Sequence, residues 1–313
     1  MSADSQTLDL SVVVAAQRPS ARLEACLGSL RAQVVAARLE VIVAEASSQE
    51  SWARLRERFP EVRLLKLPAG TSVPGLWHAG ISASRGKIVA LTIEQCVPAA
   101  NWAEEILRAH AANDAAAIGG AVEKTPEGGL ADWAVYFSRY NRYIPPFAPE
   151  FRDDLAGDNC SYKRAALEAS RTAMAEGFWE TFVHQAMRAH GARLLCDPAL
   201  VVRYAGGIGL GAFARRRFTD GRYFAARRAR KMGAAGRLLR AAAFPVTAAL
   251  LFARIAARVW KNGRYRGKLL LVSPLVLKFL LSWALGECAG YLFGPSDRPQ
   301  PVAEKHTAVD SLG

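Results

Sequence analysis

Leu10-Ser11-Val12-Val13-Val14-Ala15-Ala16 carries no charge and does not alternate apolar with polar residues. A short β-branched run of this kind suits a strand buried on both faces of a parallel sheet. Pro19-Ser20 then opens a helical pattern through Leu23, Cys26, Leu27 and Leu30. A second strand, Leu39 to Ala44, ends in Glu45-Ala46-Ser47-Ser48, and a helix from Trp52 to Phe59 leads to a third, Val62 to Leu67. After a Gly/Pro loop and a helix from Leu76 to Ser84, the fourth strand runs from Gly86 into Leu91-Thr92-Ile93-Glu94-Gln95-Cys96-Val97-Pro98. Strands and helices in strict alternation predict an α/β fold: an open, mostly parallel, right-handed sheet whose ligands gather at the carboxyl ends of its strands.

Farther on, the pattern predicts a helix over Trp102 to Ala112, a strand over Ala116 to Val122, and an irregular excursion over a binding face from Lys124 to Asp154. That excursion holds Tyr136, Phe137, Tyr140, Tyr143 and Phe147. Gly157-Asp158-Asn159-Cys160-Ser161-Tyr162 re-enters the core, Glu180 opens a helix ending near Gly191, and Leu194 to Val202 is the last strand.

Beyond Phe213 the texture changes. The chain's net charge of +13 is concentrated between Arg215 and Lys268, where sixteen Lys and Arg face one acid, Asp220. Such a block suits anionic head groups, a phosphorylated substrate or nucleic acid. Apolar segments follow, Ala241 to Ala253 and Leu269 to Gly294. The first is too short for a bilayer core, which takes about 20 helical residues. The second is long enough but contains Lys278 and Glu287, nine residues apart and so on opposite helix faces. A charge at the bilayer centre costs at least ~2.5 kcal/mol on insertion scales, which favours an interfacial or re-entrant hairpin. A soluble helical subdomain is the alternative. The five cysteines form no CxxC pair and read as reduced thiols. The first ten residues, MSADSQTLDL, lack the basic-then-apolar pattern of a signal peptide. The expected organisation is a disordered N-terminus (1–8), an α/β domain (9–205), a basic helical linker (206–240), membrane-associated helices (241–294) and a disordered tail (295–313).

Four features in order make residues 8 to 205 resemble a family 2 glycosyltransferase, an inverting enzyme of the GT-A fold. They are Ser11-Val12-Val13-Val14, Glu40 to Ser48, Ala79 to Gly86 followed by Leu91 to Pro98, and Gly157 to Tyr162. The resemblance implies a GT-A nucleotide-diphospho-sugar transferase domain followed by a basic and apolar membrane-associated region. It further implies a nucleotide-sugar donor and a lipid-linked or polysaccharide acceptor at the cytoplasmic face of the inner membrane. Glu45 matches the acid that accepts hydrogen bonds from the donor's base or ribose; a solvated loop acid is its plainer reading. Arg85 is placed against the diphosphate, where a guanidinium binds bidentately, or is a surface arginine. Asp158 and Asn159 line the acceptor side, or are simply turn residues. Ala15, Trp179, Arg217 and Arg222 complete the expected substrate contacts.

Inversion by direct displacement needs one carboxylate to take the acceptor hydroxyl's proton. Glu180 matches that base, although an acid at a helix N-terminus is also favoured by the macrodipole alone. The family's Asp-rich metal trio reads Ile93-Glu94-Gln95 here, leaving Glu94 as the one anionic ligand for Mg²⁺ or Mn²⁺. Where relatives place a histidine after the last strand, this chain reads Val202-Arg203-Tyr204. Arginines 215, 216, 217 and 222 are then candidates to replace a metal's charge. The rival from another class is a catalytically silent GT-A scaffold at the membrane. Nucleic-acid binding is disfavoured because the basic helix adjoins apolar segments that suit membrane lipids better.

Overall fold

The computed structural model describes residues 8–17, 20–34, 38–46 and 49–295. Pro19, Ser47 and Ser48, together with 1–7 and 296–313 of the two segments expected to be disordered, lie outside the described residues. The chain divides into two compact units. Among the described residues, one takes those up to Glu123 with Phe147–Arg203; the other takes Lys124–Pro146 and those from Tyr204 onward.

The first unit is a mixed α/β sheet. Strands β1 (Leu10–Ala16), β2 (Leu39–Glu45), β3 (Arg63–Lys66) and β4 (Ile88–Ile93) pair in parallel in the order β3-β2-β1-β4. Every residue of β1 is buried, as the unalternating run at Leu10–Ala16 requires of a strand covered on both faces. Helices α1 (Ala21–Val34), α2 (Gln49–Arg58) and α3 (Val73–Ala83) make the crossovers. The sequence order then turns back. β5 (Cys96–Pro98), α4 (Trp102–Ala112) and β6 (Ala117–Lys124) follow, and β8 (Cys160–Lys163) inserts antiparallel between β4 and β6. β9 (Leu194–Tyr204) joins β6 to β5, with the two-residue β7 (Glu150–Phe151) antiparallel on β9. Two short helices lie before β9, α6 (Arg164–Ala169) and α7 (Glu180–Ala189).

The second unit corrects one expectation. Lys124 to Asp154 does not form one irregular excursion: Leu130–Tyr140 is a helix, α5, with Tyr136, Phe137 and Tyr140 fully buried. The aromatic spacing there is the buried stripe of a helix, which loop composition masked. The basic helical segment and the apolar helices pack on one another. α8 (Leu210–Ala229) runs along α11 (Arg266–Phe293), and α5 and α10 (Phe244–Asn262) also pack on α11. Close crossing is set by small residues: a Cβ at Gly286 would stand 2.1 Å from the Phe218 carbonyl oxygen. Tyr204, read as the replacement for a histidine, stacks on Tyr136 within this unit (centroids 6.4 Å, 17°). α11 is long and apolar enough to cross a membrane, and α9 (Ala234–Ala242) with α10 forms a second such stretch bent by 59°.

Candidate active site

The carboxyl ends of β1, β2 and β4 bring three of the expected residues to one edge. Ala16 pairs with Glu45, Ala15 with Ile93, and the Glu94 backbone N–H donates to the Ala15 carbonyl at 3.1 Å. Glu45 is not a solvated loop acid: its side chain is fully buried at the strand end. Burying a carboxylate is costly unless it is paired or hydrogen-bonded, so this position is specified rather than incidental.

Glu180 reaches the same edge from the far side of the sequence. Its segment begins at Gly177, whose φ of 102° lies in the region glycine favours. Phe178 N–H then donates to the Pro74 carbonyl in the first turn of α3 (2.8 Å). Trp77, one turn along α3, donates its indole N–H to the Thr92 carbonyl near the end of β4 (2.9 Å) and meets Phe178 edge-on. A Cβ placed on Gly157 would stand 3.0 Å from the Trp77 ring and 3.5 Å from Cβ of Glu180. Trp77, Gly157 and Glu180 therefore converge, and only glycine leaves this approach open.

The first turn of α7 is held from beneath as well. Thr181 Oγ1 donates to Asp154 Oδ2 at 3.1 Å, and the other oxygen of Asp154 meets His184 Nδ1. His184 Nε2 lies 2.9 Å from the Tyr162 hydroxyl, and the two rings stack. Burial first, then neighbouring Cys160 and the charges of Glu180 and Asp154, push the Tyr162 phenol well above its usual range. It stays neutral and serves His184 as a hydrogen-bond partner. Trp179 caps α7 and returns its indole N–H to the Glu176 carbonyl (3.2 Å).

Asp158 is buried in the 3-10 turn Gly157–Asn159, which packs on β4. Asn159, expected on the acceptor side or as a turn residue, is turned into the core. Its amide donates to the carbonyls of Ala121 and Leu200 (both 2.9 Å), and its Oδ1 accepts from the Trp102 indole (2.8 Å). All of its polar capacity toward neighbours is spent on joining β6, β9 and α4.

Arg85 is likewise misplaced by the sequence reading. It precedes β4, at the amino end of the sheet, where its N–H donates to Glu40 Oε1 (2.7 Å) and its side chain is 74% exposed. Gly86 beside it fixes this location, because a Cβ there would stand 2.5 Å from the Ser11 nitrogen. From Ser11 to Ala16 is roughly 17 Å of strand at ~3.3 Å per residue. The surface-arginine reading holds. Arg217 and Arg222 belong to the helical unit, where Arg217 lies over Trp283 (4.1 Å) and Arg222 Nε donates to the Gly294 carbonyl (2.7 Å).

The donor set at Glu94 does not fit a cation held by the protein. Glu94 occupies the tight turn between β4 and β5, is 4% exposed, and accepts from the Gln95 side-chain amide at 2.8 Å. Its charge is felt by buried Cys26, whose thiol is pushed up to about 12 by burial and then by Glu94. Among the described residues no group of three or more His, Cys, Asp or Glu side chains is arranged to hold a metal. A hard cation wants several oxygen ligands, and one carboxylate suffices only where substrate phosphates supply most of the others, so the protein by itself does not hold one here.

Trp77, Thr92 and the Asp154–His184–Tyr162 chain were not singled out from sequence. Pro74-Gly75 opening α3 signals the helix but not which of its residues faces the site. Compared with known families, residues 11–171, just over half of the chain, match the family model described as glycosyl transferase family 2. No curated protein matches the chain.

Proposed function

The chain belongs to glycosyl transferase family 2, and from that premise we propose that it transfers a sugar, with inversion, from a nucleotide-diphosphate donor to a hydroxyl acceptor using Glu180 as general base. The observation that carries this reading is the convergence of Glu180 with Trp77 and Gly157 beside the end of β4, where ligands of an open α/β sheet collect.

In this reaction the acceptor oxygen attacks the anomeric carbon while Glu180 takes its proton. The bond from that carbon to the diphosphate oxygen breaks, and the nucleotide diphosphate leaves with the electron pair. Glu45 and the strand end at Ala15 serve the donor nucleotide, Asp158 and Trp179 flank the sugar and acceptor, and Asn159 acts on them only through the fold. Anchoring α7 at Phe178, Thr181 and His184 keeps Glu180 in position, which matters because a misplacement of about 1 Å costs about a hundredfold in rate.

The acceptor is carried on a lipid or an envelope polysaccharide, and the enzyme works at the cytoplasmic face of the inner membrane. What supports the membrane part of this reading is the apolar length of α11 and exposed Leu238, Leu239, Val246, Leu270 and Leu271 in a unit rich in arginine. The test is the anomeric configuration of the product, read by NMR after incubating membranes containing the full chain with an α-linked nucleotide sugar. A β-linked product is expected, and an α-linked product overturns the assignment of inversion.

A further inference from the structure

The helical unit contains a cavity of about 480 Å³ that the reaction above does not use. Five arginines line it: Arg217 and Arg228 from α8, Arg240 from α9, and Arg254 and Arg258 from α10. The spacing explains the convergence, since 217 and 228 lie eleven residues apart, about three turns, and 254 and 258 about one turn apart on a helix. Against them stands one carboxylate, Glu287 of α11, which is paired with Arg228. Asn141, which caps the C-terminus of α5, accepts from Arg258 at 2.8 Å.

Arg217 is the least compensated. Its face lies over Trp283, and its Nε, shielded from solvent, has no hydrogen-bond partner among the described residues. Burial, offset by Asp220 but reinforced by Arg139 and Arg216, pulls it down to about 10, so it remains charged at neutral pH. A desolvated guanidinium with an unfilled donor is costly unless an anion completes it. Apart from the hydroxyls of Ser138 and Thr247, the rest of the lining is apolar, with Leu250, Leu251, Ile255 and Leu280 beside Trp283 and Tyr291. Leu250 is 53% exposed, so the apolar wall continues to the surface. A free inorganic anion has no use for that wall.

We propose that this arginine-lined cavity is a binding site for the phosphate head group of a membrane lipid, with the guanidinium groups on the phosphate oxygens and the acyl or isoprenyl chain leaving along the Leu250 side. Guanidinium forks match phosphate oxygens bidentately, and apolar walls select an amphiphile over a soluble phosphate.

The test titrates the detergent-solubilised full chain with a short-chain phosphatidic acid, the matching neutral diacylglycerol, and inorganic phosphate. Saturable binding of phosphatidic acid is expected, with diacylglycerol and inorganic phosphate each weaker by about tenfold or more. Removing two charge-assisted hydrogen bonds in the pair Arg240→Gln and Arg254→Gln should weaken phosphatidic acid binding by about tenfold or more. The pair Arg237→Gln and Lys261→Gln, which removes the same charge outside the cavity, should change it by less than about twofold. Circular dichroism confirms that both variants fold, and Arg240→Lys with Arg254→Lys restores part of the affinity if the first pair does not fold. Equal losses in the two charge-matched pairs, or inorganic phosphate binding as tightly as the lipid, overturn the proposal.

Discussion

Replacing Asn159 by alanine separates a structural residue from a substrate-binding one at a position where sequence alone suggested the latter. The side chain is fully buried and makes three hydrogen bonds, to the Ala121 and Leu200 carbonyls and from the Trp102 indole. Each contributes about 1 kcal/mol net, and the indole N–H left without its acceptor in the core adds ~1–2 kcal/mol. The expected loss is therefore about 4–5 kcal/mol, which for a unit of this size lowers the melting temperature by about 8–20 °C. Asn159→Asp should be at least as damaging, because it removes the donor and sets a carboxylate against two carbonyl oxygens. Thermal unfolding of the purified chain, followed by tryptophan fluorescence, measures the shift. A variant that keeps its melting temperature to within about 2 °C, a shift of less than ~1 kcal/mol, and yet loses transfer would refute this reasoning and return Asn159 to the acceptor side.

Arg85→Ala, at the amino end of the sheet and 74% exposed, should leave donor affinity and transfer rate within about twofold of wild type; a tenfold loss of donor affinity contradicts the geometry. Asp154→Asn weakens the support beneath the first turn of α7. As a positioning change it should lower kcat by about tenfold while donor Kd moves less than about twofold; parallel loss of both, or no change in kcat, contradicts that role. His110 is held neutral, lowered from 6.5 to about 4 by burial and then by Lys163. Because the unfolded chain binds this proton and the folded chain does not, stability is full above pH 6.5 and falls as pH drops toward 4. The loss is roughly 3 kcal/mol, and His110→Gln should flatten the unfolding curve across that window; an unchanged slope in the variant rules His110 out as its source.

The parallel half of the sheet was legible in sequence because its strands are buried on both faces and read as unbroken apolar runs at Leu10–Ala16 and Leu39–Glu45. Glu180 at the start of α7 was legible for a similar reason, a polar residue opening an amphipathic stretch. Where a side chain points within a tight turn is another matter. Gly157-Asp158-Asn159 looks alike whether Asn159 faces substrate or core, and only the partners Trp102, Ala121 and Leu200, distant in sequence, decide it. Arg85 was misread because adjacency to a strand does not tell which end of the sheet it occupies; Gly86 against Ser11 does. The helix α5 was hidden by Pro at both ends of an aromatic segment and by Gly128-Gly129 before it, and its packing with the C-terminal helices depends on contacts more than 100 residues apart, such as Trp133 with Tyr265. The cavity arginines come from three helices and carry no local motif at all.

As the proposed general base, Glu180 takes the acceptor's proton at a donor site it does not itself build. The direct measurement compares wild type with Glu180→Gln in two readings on the same preparation, donor binding by calorimetry and transfer of a radiolabelled sugar on membranes. Removing a positioned general base should cost about 10²–10⁴-fold in transfer, with donor affinity within about threefold and the melting temperature unchanged. Transfer by Glu180→Gln at the wild-type rate contradicts the claim outright, and loss of donor binding in step with transfer makes Glu180 a donor ligand instead of the base.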